Sequence, residues 1–396
     1  MEFDIAKRTN YLVVSGSYAY GTFSSTSDYD LRGWGIPPTE YFLTFDKHFE
    51  QSDQTFKFKE YPFAKELQQY VTKNSYRRPE QDEEIDHCIY DIRKFFALAA
   101  ECNPNIIELL FVDENEILIC DENGKRVREA RDLFLSARAK HTFTGYAVSQ
   151  LKRINSHRKF LMHPPKEKPT REQFGLPATG LIPAEQRGAA EALVNAQIRD
   201  WLGYDSQLDK TELSIFRENL TDFLSHVLSS KELIIQFKDE LEMTRAARLA
   251  AMEKIGMDKN YIVVLQKEKE YRDKLTEWTQ YQTWVANRNP ERAALETKYL
   301  YDVKHGSHLI RLLLQGKDLL TTGKITIKRP EVQQMMCDVK AGAWSYEKLI
   351  SFMKETDNEL QDIYDNKKYV VPHKPKMKEL SKLCESIVRQ QVAHEE

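Results

Sequence analysis

The chain has 396 residues, and its 58 Lys and Arg nearly balance 61 Asp and Glu, giving a formal net charge of −3. This balance excludes a global field that would draw the protein onto nucleic acid or membrane, so any basic surface must be local. The five cysteines lie far apart without a C-x-x-C pair and suggest neither a zinc site nor a disulfide framework. Because no signal peptide and no apolar run long enough to span a bilayer is visible, we expect a cytoplasmic protein with no membrane partner.

The N-terminal part is predicted to contain short strands and helices. A β-rich run at Tyr11–Ser15 ends in Gly-Ser, and a second strand at Tyr29–Ile36 is stopped by two prolines. A third strand is expected near Ile85–Tyr90. Helices are expected at Asn103–Leu110, which opens with an Asn-Pro capping pair, and at Thr142–Leu161, which carries apolar residues at helical spacing.

The remainder is predicted to be mainly helical. The segment Pro164–Pro183 holds five of the 14 prolines and is typical of an extended connection. A long exposed helix is expected at Tyr261–Val285, as a spacer or a dimerisation arm. Another helix should run from Asn289 to about Gln315, followed by a β-like run at Lys324–Lys328. The tail after Lys367 is basic and is expected to be disordered.

The segment GSYAYGTFSSTSDYDLRG, residues 16–33, carries the chemistry. Side chains alternate across a strand, so Asp28, Asp30 and Arg32 share one face. Two carboxylates about 4 Å apart would repel by roughly 4 kcal/mol at an effective dielectric near 20, a cost that a bridging divalent cation removes. Mg²⁺ is the expected ion, because it is usually held by one or two carboxylates together with substrate phosphates.

The Gly-Ser pair at the start of this segment suits phosphate binding. Gly16 and Ser17 lie where a strand leads into a helical turn, so backbone N–H groups and the Ser17 hydroxyl can point at phosphate oxygens. Glycine helps here because no Cβ blocks the approach of a ligand. The two halves of the motif together indicate a triphosphate cradle that faces a metal pair.

This segment resembles the Gly-Ser and Asp-x-Asp signature of the DNA polymerase β nucleotidyltransferase superfamily, and more narrowly the RNA-repair-pathway DNA polymerase β family. The resemblance extends through YDIRKFFALAAECNPNIIELLF (90–111), GYAVSQLKRINSHRKFLMHPP (145–165) and YDVKHGSHLIRLLLQGKDLLTTG (301–323). It implies an α/β (α+β) fold with a small mixed-sheet nucleotidyltransferase core and a larger, mainly helical C-terminal region. It also implies a nucleoside triphosphate as donor, release of pyrophosphate, and two Mg²⁺ ions, or Mn²⁺ in their place.

The predicted domains follow from the resemblance and from the change in composition. Residues 1–165 are expected to form the catalytic domain, and residues 166–288 a helical insertion or spacer. Residues 289–366 should form a C-terminal helical region that closes the nucleotide pocket. Residues 367–396 form the basic tail.

The superfamily further implies a third carboxylate on a neighbouring strand. Asp86 is preferred, because it lies in the third predicted strand. Asp91 is the competitor, but its position at the start of a helix favours an N-cap. Asp28, Asp30 and Asp86 are therefore the predicted catalytic residues and metal ligands.

A helix near the C-terminal end supplies the other predicted nucleotide contacts. Tyr301, Lys304, His308 and Arg311 recur at helical spacing on one side, and such a cationic stripe on an apolar helix suits phosphate. The alternative is a solvated face that binds nothing. Lys304 and His308 are preferred, whereas His305 is expected to point elsewhere. With Arg311 and with Gly16, Ser17 and Arg32 of the motif they form the predicted nucleotide-binding set, in which Arg32 and Lys304 add positive charge in the transition state.

A second basic cluster is predicted to bind the acceptor. Lys152, Arg153, His157 and Arg158 lie in a stretch that could neutralise several phosphates of an RNA. The same block could instead build the nucleotide pocket or be plain surface.

The acceptor is left open by the sequence. An RNA 3′ end is the first expectation, and a protein hydroxyl or a small molecule such as an aminoglycoside-like sugar is compatible with the same centre. A hypothesis from another class is a catalytically silent nucleotide sensor or assembly protein that forms homo-oligomers through its middle helices.

Overall fold

The computed structural model describes residues 3–202, 240–288 and 290–395. The chain divides into two compact units: unit 1 comprises Met1–His163 and Asn289–Glu396, and unit 2 comprises Pro164–Arg288. Unit 1 is thus built from two separate stretches of sequence. Among the helices of the described ranges, none combines the length and the apolar character needed to cross a bilayer.

A mixed sheet of five strands forms the centre of unit 1. The strands are β1 (Thr9–Val14), β2 (Tyr29–Gly35), β3 (Gln51–Lys57), β4 (Glu84–Asp91) and β5 (Ile117–Cys120), and their spatial order is β3-β4-β2-β1-β5. Strands β2 and β4 run parallel, and the other neighbouring pairs are antiparallel. This sheet, together with the helical C-terminal region, confirms the predicted fold class.

Both faces of the sheet are buried at its central strand β1. Along β1, Tyr11 and Val13 belong to one hydrophobic cluster, whereas Leu12 and Val14 belong to a second. This split follows from the alternation of side chains in a strand. An all-apolar run such as YLVV is therefore what a central strand with two covered faces requires.

The helices of unit 1 come from both of its sequence stretches. The first stretch contributes α1 (Gly16–Ala19), α2 (Glu40–Leu43), α3 (Ala64–Lys73), α4 (Ile92–Ala100), α5 (Pro104–Ile107), α6 (Glu122–Glu129) and α7 (Ala139–Met162). Unit 2 contains α8 (Ala184–Leu202), α9 (Glu240–Lys254) and α10 (Lys259–Ala286). The second stretch of unit 1 contributes α11 (Pro290–Tyr299), α12 (Val303–Thr322), α13 (Pro330–Lys340), α14 (Tyr346–Asp365) and α15 (Met377–Glu395).

The predicted helix from Asn289 to Gln315 is in fact two helices, α11 and α12. Leu300 has a left-handed φ of 58°, and the Asp302 side chain caps α12 by accepting from the His305 N–H. Tyr301 therefore lies before the helix rather than on its cationic side. It is fully buried and donates its hydroxyl to the Trp344 carbonyl at 2.8 Å.

Two further expectations for the C-terminal stretch were wrong. Residues 324–328 form no strand, because Ile325 and Ile327 are buried in the helical part of the core instead. The tail is not disordered: α15 buries Leu380 and Ile387 on one side and exposes its charged residues. Apolar residues at i and i+7 account for this packing, and the basic composition of the tail concealed them.

Unit 2 has its own small core. Val194, Ala251 and Ile262 pack together from α8, α9 and α10. Arg171 forms an ion pair with the buried Glu268 of α10. The long helix expected at Tyr261–Val285 lies within α10, and the part of the predicted helical region at residues 203–239 lies outside the described residues.

Candidate active site

The Gly-Ser motif lies where β1 leads into α1. Gly16 has a φ of 62°, and a Cβ at this position would lie 2.2 Å from Oδ2 of Asp30. The Ser15 N–H donates to the Asp30 carbonyl at 2.8 Å. Because only glycine tolerates both the left-handed backbone and this close approach, Gly16 allows the turn to lie directly against the Asp30 carboxylate.

The three predicted acidic residues lie on the neighbouring strands β2 and β4 or directly before β2. Asp30 is half-buried and stands opposite Asp86 in the parallel register, while Asp28 is exposed just before β2 begins. Asp86 is exposed and accepts from the Thr55 hydroxyl at 2.9 Å. Burial raises the pKa of Asp30, the carboxylates of Asp86 and Asp28 raise it further, and Arg32 and Lys304 oppose the rise.

The acidic residues around Asp30 fit a divalent cation. Asp30 carries an ionisable carboxyl group in a half-buried position with two like charges near it, so a cation would relieve both burial and repulsion. Carboxylate oxygens are the ligands that Mg²⁺ prefers, usually one or two of them with substrate phosphates. The donor set therefore fits magnesium that arrives with a nucleotide. Within the described residues, the tight group of three potential ligand atoms is a different one, formed by His157, Asp302 and His305.

A cavity of about 370 Å³ opens beside Asp30. Its walls come from the motif, from the α5 region, from α7 and from α12, and they consist of Ser15, Gly16, Ser17, Tyr20, Asp30, Arg32, Asn105, Glu108, Tyr146, Gln150, Arg153, Lys304, His305, His308, Arg311 and Leu312. Its size falls within the range of small-molecule sites. Segments almost 300 residues apart in sequence thus meet around the Asp-x-Asp strand.

All six residues predicted to bind nucleotide line this cavity. They are Gly16, Ser17, Arg32, Lys304, His308 and Arg311. Of the three predicted acids, Asp30 lies in the wall, whereas Asp28 and Asp86 do not line it. The structure therefore brings the motif and α12 together around the cavity, and it places the Asp28 and Asp86 carboxylates outside the cavity wall.

Arg311 is buried and paired within the protein, whereas the prediction of a cationic helix face expected it to contact phosphate. Its side chain is only 5% exposed, and its Nη1 lies 2.5 Å from both Glu108 Oε2 and the Tyr20 hydroxyl oxygen. Tyr20 in turn donates to Glu108 Oε1 at 2.5 Å. The charge of Arg311 is thus compensated within the protein, which makes it a support for the cavity wall.

His308 presents a neutral imidazole to the cavity. Burial lowers its pKa well below the usual range, and the neighbouring charges of Arg311 and Lys304 lower it further. His305 lies one turn before it and lines the same cavity. The expectation that His305 points elsewhere was wrong, because residues three positions apart on a helix lie on the same side and both histidines reach the cavity.

The predicted acceptor-binding residues do not share one environment. Arg153 is exposed and lines the cavity, and Lys152 is exposed beside it. The His157 Nδ1 atom lies 3.1 Å from Oδ2 of Asp302, which also belongs to unit 1. The Arg158 guanidinium lies 4.4 Å from the centre of the Tyr346 ring.

Asp91, the competitor for the third carboxylate, is an N-cap. It is 1% exposed, accepts from the Arg93 N–H at 2.7 Å and binds the Arg93 side chain with both oxygens. This is the capping role expected from its position. Asp91 therefore has its oxygens engaged away from the cavity.

Several cavity residues were missed from the sequence. Five wall residues lie in the motif or in the segments that carry the family resemblance but were given no role there: Tyr20, Asn105, Glu108, Tyr146 and Gln150. Their position depends on long-range packing. One weak local signal exists: Glu108 is an acidic residue inside the apolar run NIIELLF, where a buried partner of opposite charge is to be expected.

Residues 3–164 match the family described as the RNA repair pathway DNA polymerase beta family. This is the family that the sequence motifs resemble. The match includes the motif, Asp86 and all of α7, and it ends before Lys304 and His308. No curated protein and no solved structure gives a significant match to the chain. The family match supports a polymerase-β-like nucleotidyltransferase.

Proposed function

We propose that the protein transfers a nucleoside monophosphate from a nucleoside triphosphate to an acceptor hydroxyl, with an RNA 3′ end as the acceptor. One observation carries the proposal. A single cavity joins the motif residues Gly16, Ser17 and Asp30 to Lys304 and His308, which lie almost 300 residues later. Phosphate-binding backbone, a carboxylate and a cation thus surround one space of nucleotide-compatible size.

In the proposed reaction the acceptor oxygen attacks the α-phosphorus. A new phosphorus–oxygen bond forms, and the bond to the bridging oxygen breaks. Pyrophosphate leaves with the electron pair of the broken bond, and the hydroxyl proton passes to solvent. Asp28, Asp30 and Asp86 would hold Mg²⁺, or Mn²⁺ in its place. When bound, these ions supply charge neutralisation of the triphosphate and acidification of the attacking hydroxyl.

The protein's own residues position the triphosphate. The bare Cα of Gly16 lets the turn lie against the Asp30 carboxylate, and the Ser17 hydroxyl in the cavity wall can donate to a phosphate. Arg32 and Lys304 both lie close enough to Asp30 to affect its pKa, so their charges also reach a phosphate bound there. Fixed cations at the place where negative charge accumulates stabilise the transition state.

Arg311 is proposed to be a positioning residue. Its guanidinium is engaged with Glu108 and Tyr20, so it holds the α1 end of the motif against α12. The neutral His308 can accept or donate a single hydrogen bond at a base or sugar without adding charge. Phosphate binding is therefore assigned to Arg32 and Lys304.

The proposed RNA acceptor rests on two features. Exposed Arg153 lies in the cavity wall, with exposed Lys152 next to it, so cationic side chains continue from the cavity onto the surface. Phosphate contacts of this kind bind nucleic acid without regard to sequence. The family description also names an RNA repair pathway.

The test uses purified protein with each α-labelled nucleoside triphosphate, Mg²⁺, and either total RNA or cell lysate. We expect labelled RNA and released pyrophosphate from the wild type, and neither from Asp30→Asn. The matched control is Asp46→Asn, which changes an exposed aspartate in the loop after α2. Label found only on protein or only on a small molecule would overturn the RNA acceptor. Nucleotide binding without pyrophosphate release would overturn the enzyme and favour a sensor.

A further inference from the structure

A cluster of histidine and carboxylate side chains lies close in sequence to the two positions at which the chain leaves unit 1 and returns to it. His157 belongs to α7, six residues before unit 1 ends at His163, and Asp302 and His305 follow the return at Asn289. One ligand atom from each of these three residues lies within 4.8 Å of the others. All three belong to unit 1.

Two separations between these atoms are close to those of a tetrahedral metal site. His157 Nδ1 lies 3.1 Å from Asp302 Oδ2, and His305 Nε2 lies 3.5 Å from the same oxygen. Around an ion with bonds of 2.0–2.1 Å, tetrahedral geometry places ligand atoms about 3.3 Å apart. The observed separations lie on either side of this value.

A second carboxylate lies beside His157. Glu296 Oε1 lies 3.3 Å from His157 Nδ1, but Glu296 is not part of the close group of three ligand atoms. Glu296 is 1% exposed and Asp302 is fully buried. Ionised carboxylates are retained in such positions when they are paired, hydrogen-bonded or bound to a metal. Two nitrogen atoms and one carboxylate oxygen thus lie close together, and Glu296 adds negative charge next to His157.

We propose that His157, Asp302 and His305 bind one Zn²⁺ ion, with Glu296 held against His157. Two imidazoles with carboxylates are a ligand set that zinc accepts, whereas Mg²⁺ requires oxygen ligands. The ion ties α7 to the α11–α12 junction, so it links the two sequence stretches that build unit 1. None of its ligands belongs to the aspartate set proposed for magnesium, and its role is structural.

Zinc content of the purified protein is the first test. After treatment with a chelator, ZnCl₂ is added, excess is removed by dialysis, and bound zinc is measured by mass spectrometry. We expect about one zinc per chain, the stoichiometry of a single site. His157→Ala and His305→Ala should each weaken zinc binding by more than the roughly 10–100-fold typical of outer-shell changes. The matched control is His141→Ala, which removes an exposed histidine of the same helix and should retain the zinc.

A variant-free measurement covers the case in which these substitutions prevent folding. Cobalt added to the metal-free wild type should give the intense visible absorption of a tetrahedral nitrogen–oxygen site, and zinc should abolish it. Zinc should also raise the melting temperature of the wild type. Without stoichiometric zinc and without the cobalt spectrum, the cluster is an ion-paired histidine between two carboxylates and the proposal is overturned. Asp30→Asn should lose pyrophosphate release and keep its zinc, so this test stands apart from that of the proposed function.

Discussion

Replacement of Gly16 by alanine tests how closely the motif and Asp30 depend on each other. The new Cβ would lie 2.2 Å from Asp30 Oδ2, whereas real Cβ contacts are rarely closer than 3.0 Å, so the carboxylate must move by about 1 Å. A displacement of this size at a reacting centre costs roughly 100-fold in rate. The left-handed φ of 62° adds about 1–2 kcal/mol of backbone strain for a non-glycine residue.

The assay compares pyrophosphate release and urea unfolding for two variants. Gly323→Ala is the control, because Gly323 has a φ of 69°, lies in the same unit and offers its Cβ only an ordinary contact with Val370 at 3.4 Å. We expect the free energy of unfolding to fall by about 1–2 kcal/mol in both variants, because an alanine with a left-handed backbone carries about that much strain. Only Gly16→Ala should lose about 100-fold in rate. If the two variants keep equal rates, the contact between Gly16 and Asp30 does not position the carboxylate.

Three other predictions concern stability. Arg311→Met should lower the free energy of unfolding by about 3–5 kcal/mol in urea denaturation, because it leaves the Glu108 carboxylate buried without its partner. The control is Arg389→Met, which breaks an exposed ion pair with Glu385 and should lower the free energy of unfolding by less than about 1 kcal/mol. Equal losses in the two variants would argue against a stabilising role of the Arg311–Glu108 ion pair. His308 has a lowered pKa in the folded state, so its stabilisation is present above the unfolded pKa near 6.5 and declines as pH falls. Between pH 7.5 and 5.5 the wild type should therefore lose about 1.4 kcal/mol more than His308→Gln, and parallel curves would refute a buried neutral imidazole. Asn103→Ala should cost about 1 kcal/mol in thermal or urea unfolding through loss of the α5 N-cap, and an unchanged stability would show that the cap contributes nothing.

The centre of the site could be predicted from the sequence because its rules are local. The Asp-x-Asp spacing on a strand puts Asp30 and Arg32 on one face, and both line the cavity. The apolar run around Ile85 identified the strand that carries Asp86. Its exact register opposite Asp30 required the structure, since pairing depends on the neighbouring strand.

The contacts that join the walls of the cavity could not be predicted, because they depend on packing between distant segments. Glu108 and Arg311 are separated by 203 positions, and neither has a local feature that selects the other. Strand β3 was also missed. Its sequence, QSDQTFK, is polar because it is an edge strand with one neighbour, so it lacks the apolar alternation that identifies a strand.

The break between α11 and α12 could be predicted only in part. The left-handed φ of 58° at Leu300 could not, because neither glycine nor proline lies near it. Asp302, in contrast, is a strong N-cap residue and indicates the start of a second helix.

The most direct test of the central claim is a crystal structure with a non-hydrolysable nucleoside triphosphate and Mg²⁺. We predict that the triphosphate lies in the cavity between Ser17 and Lys304, with a metal ion in contact with the Asp30 carboxylate. Soaked crystals of Asp30→Asn should lose the metal density and keep their fold. Nucleotide density on any other surface of the protein, with the cavity beside Asp30 filled by water, would contradict the account.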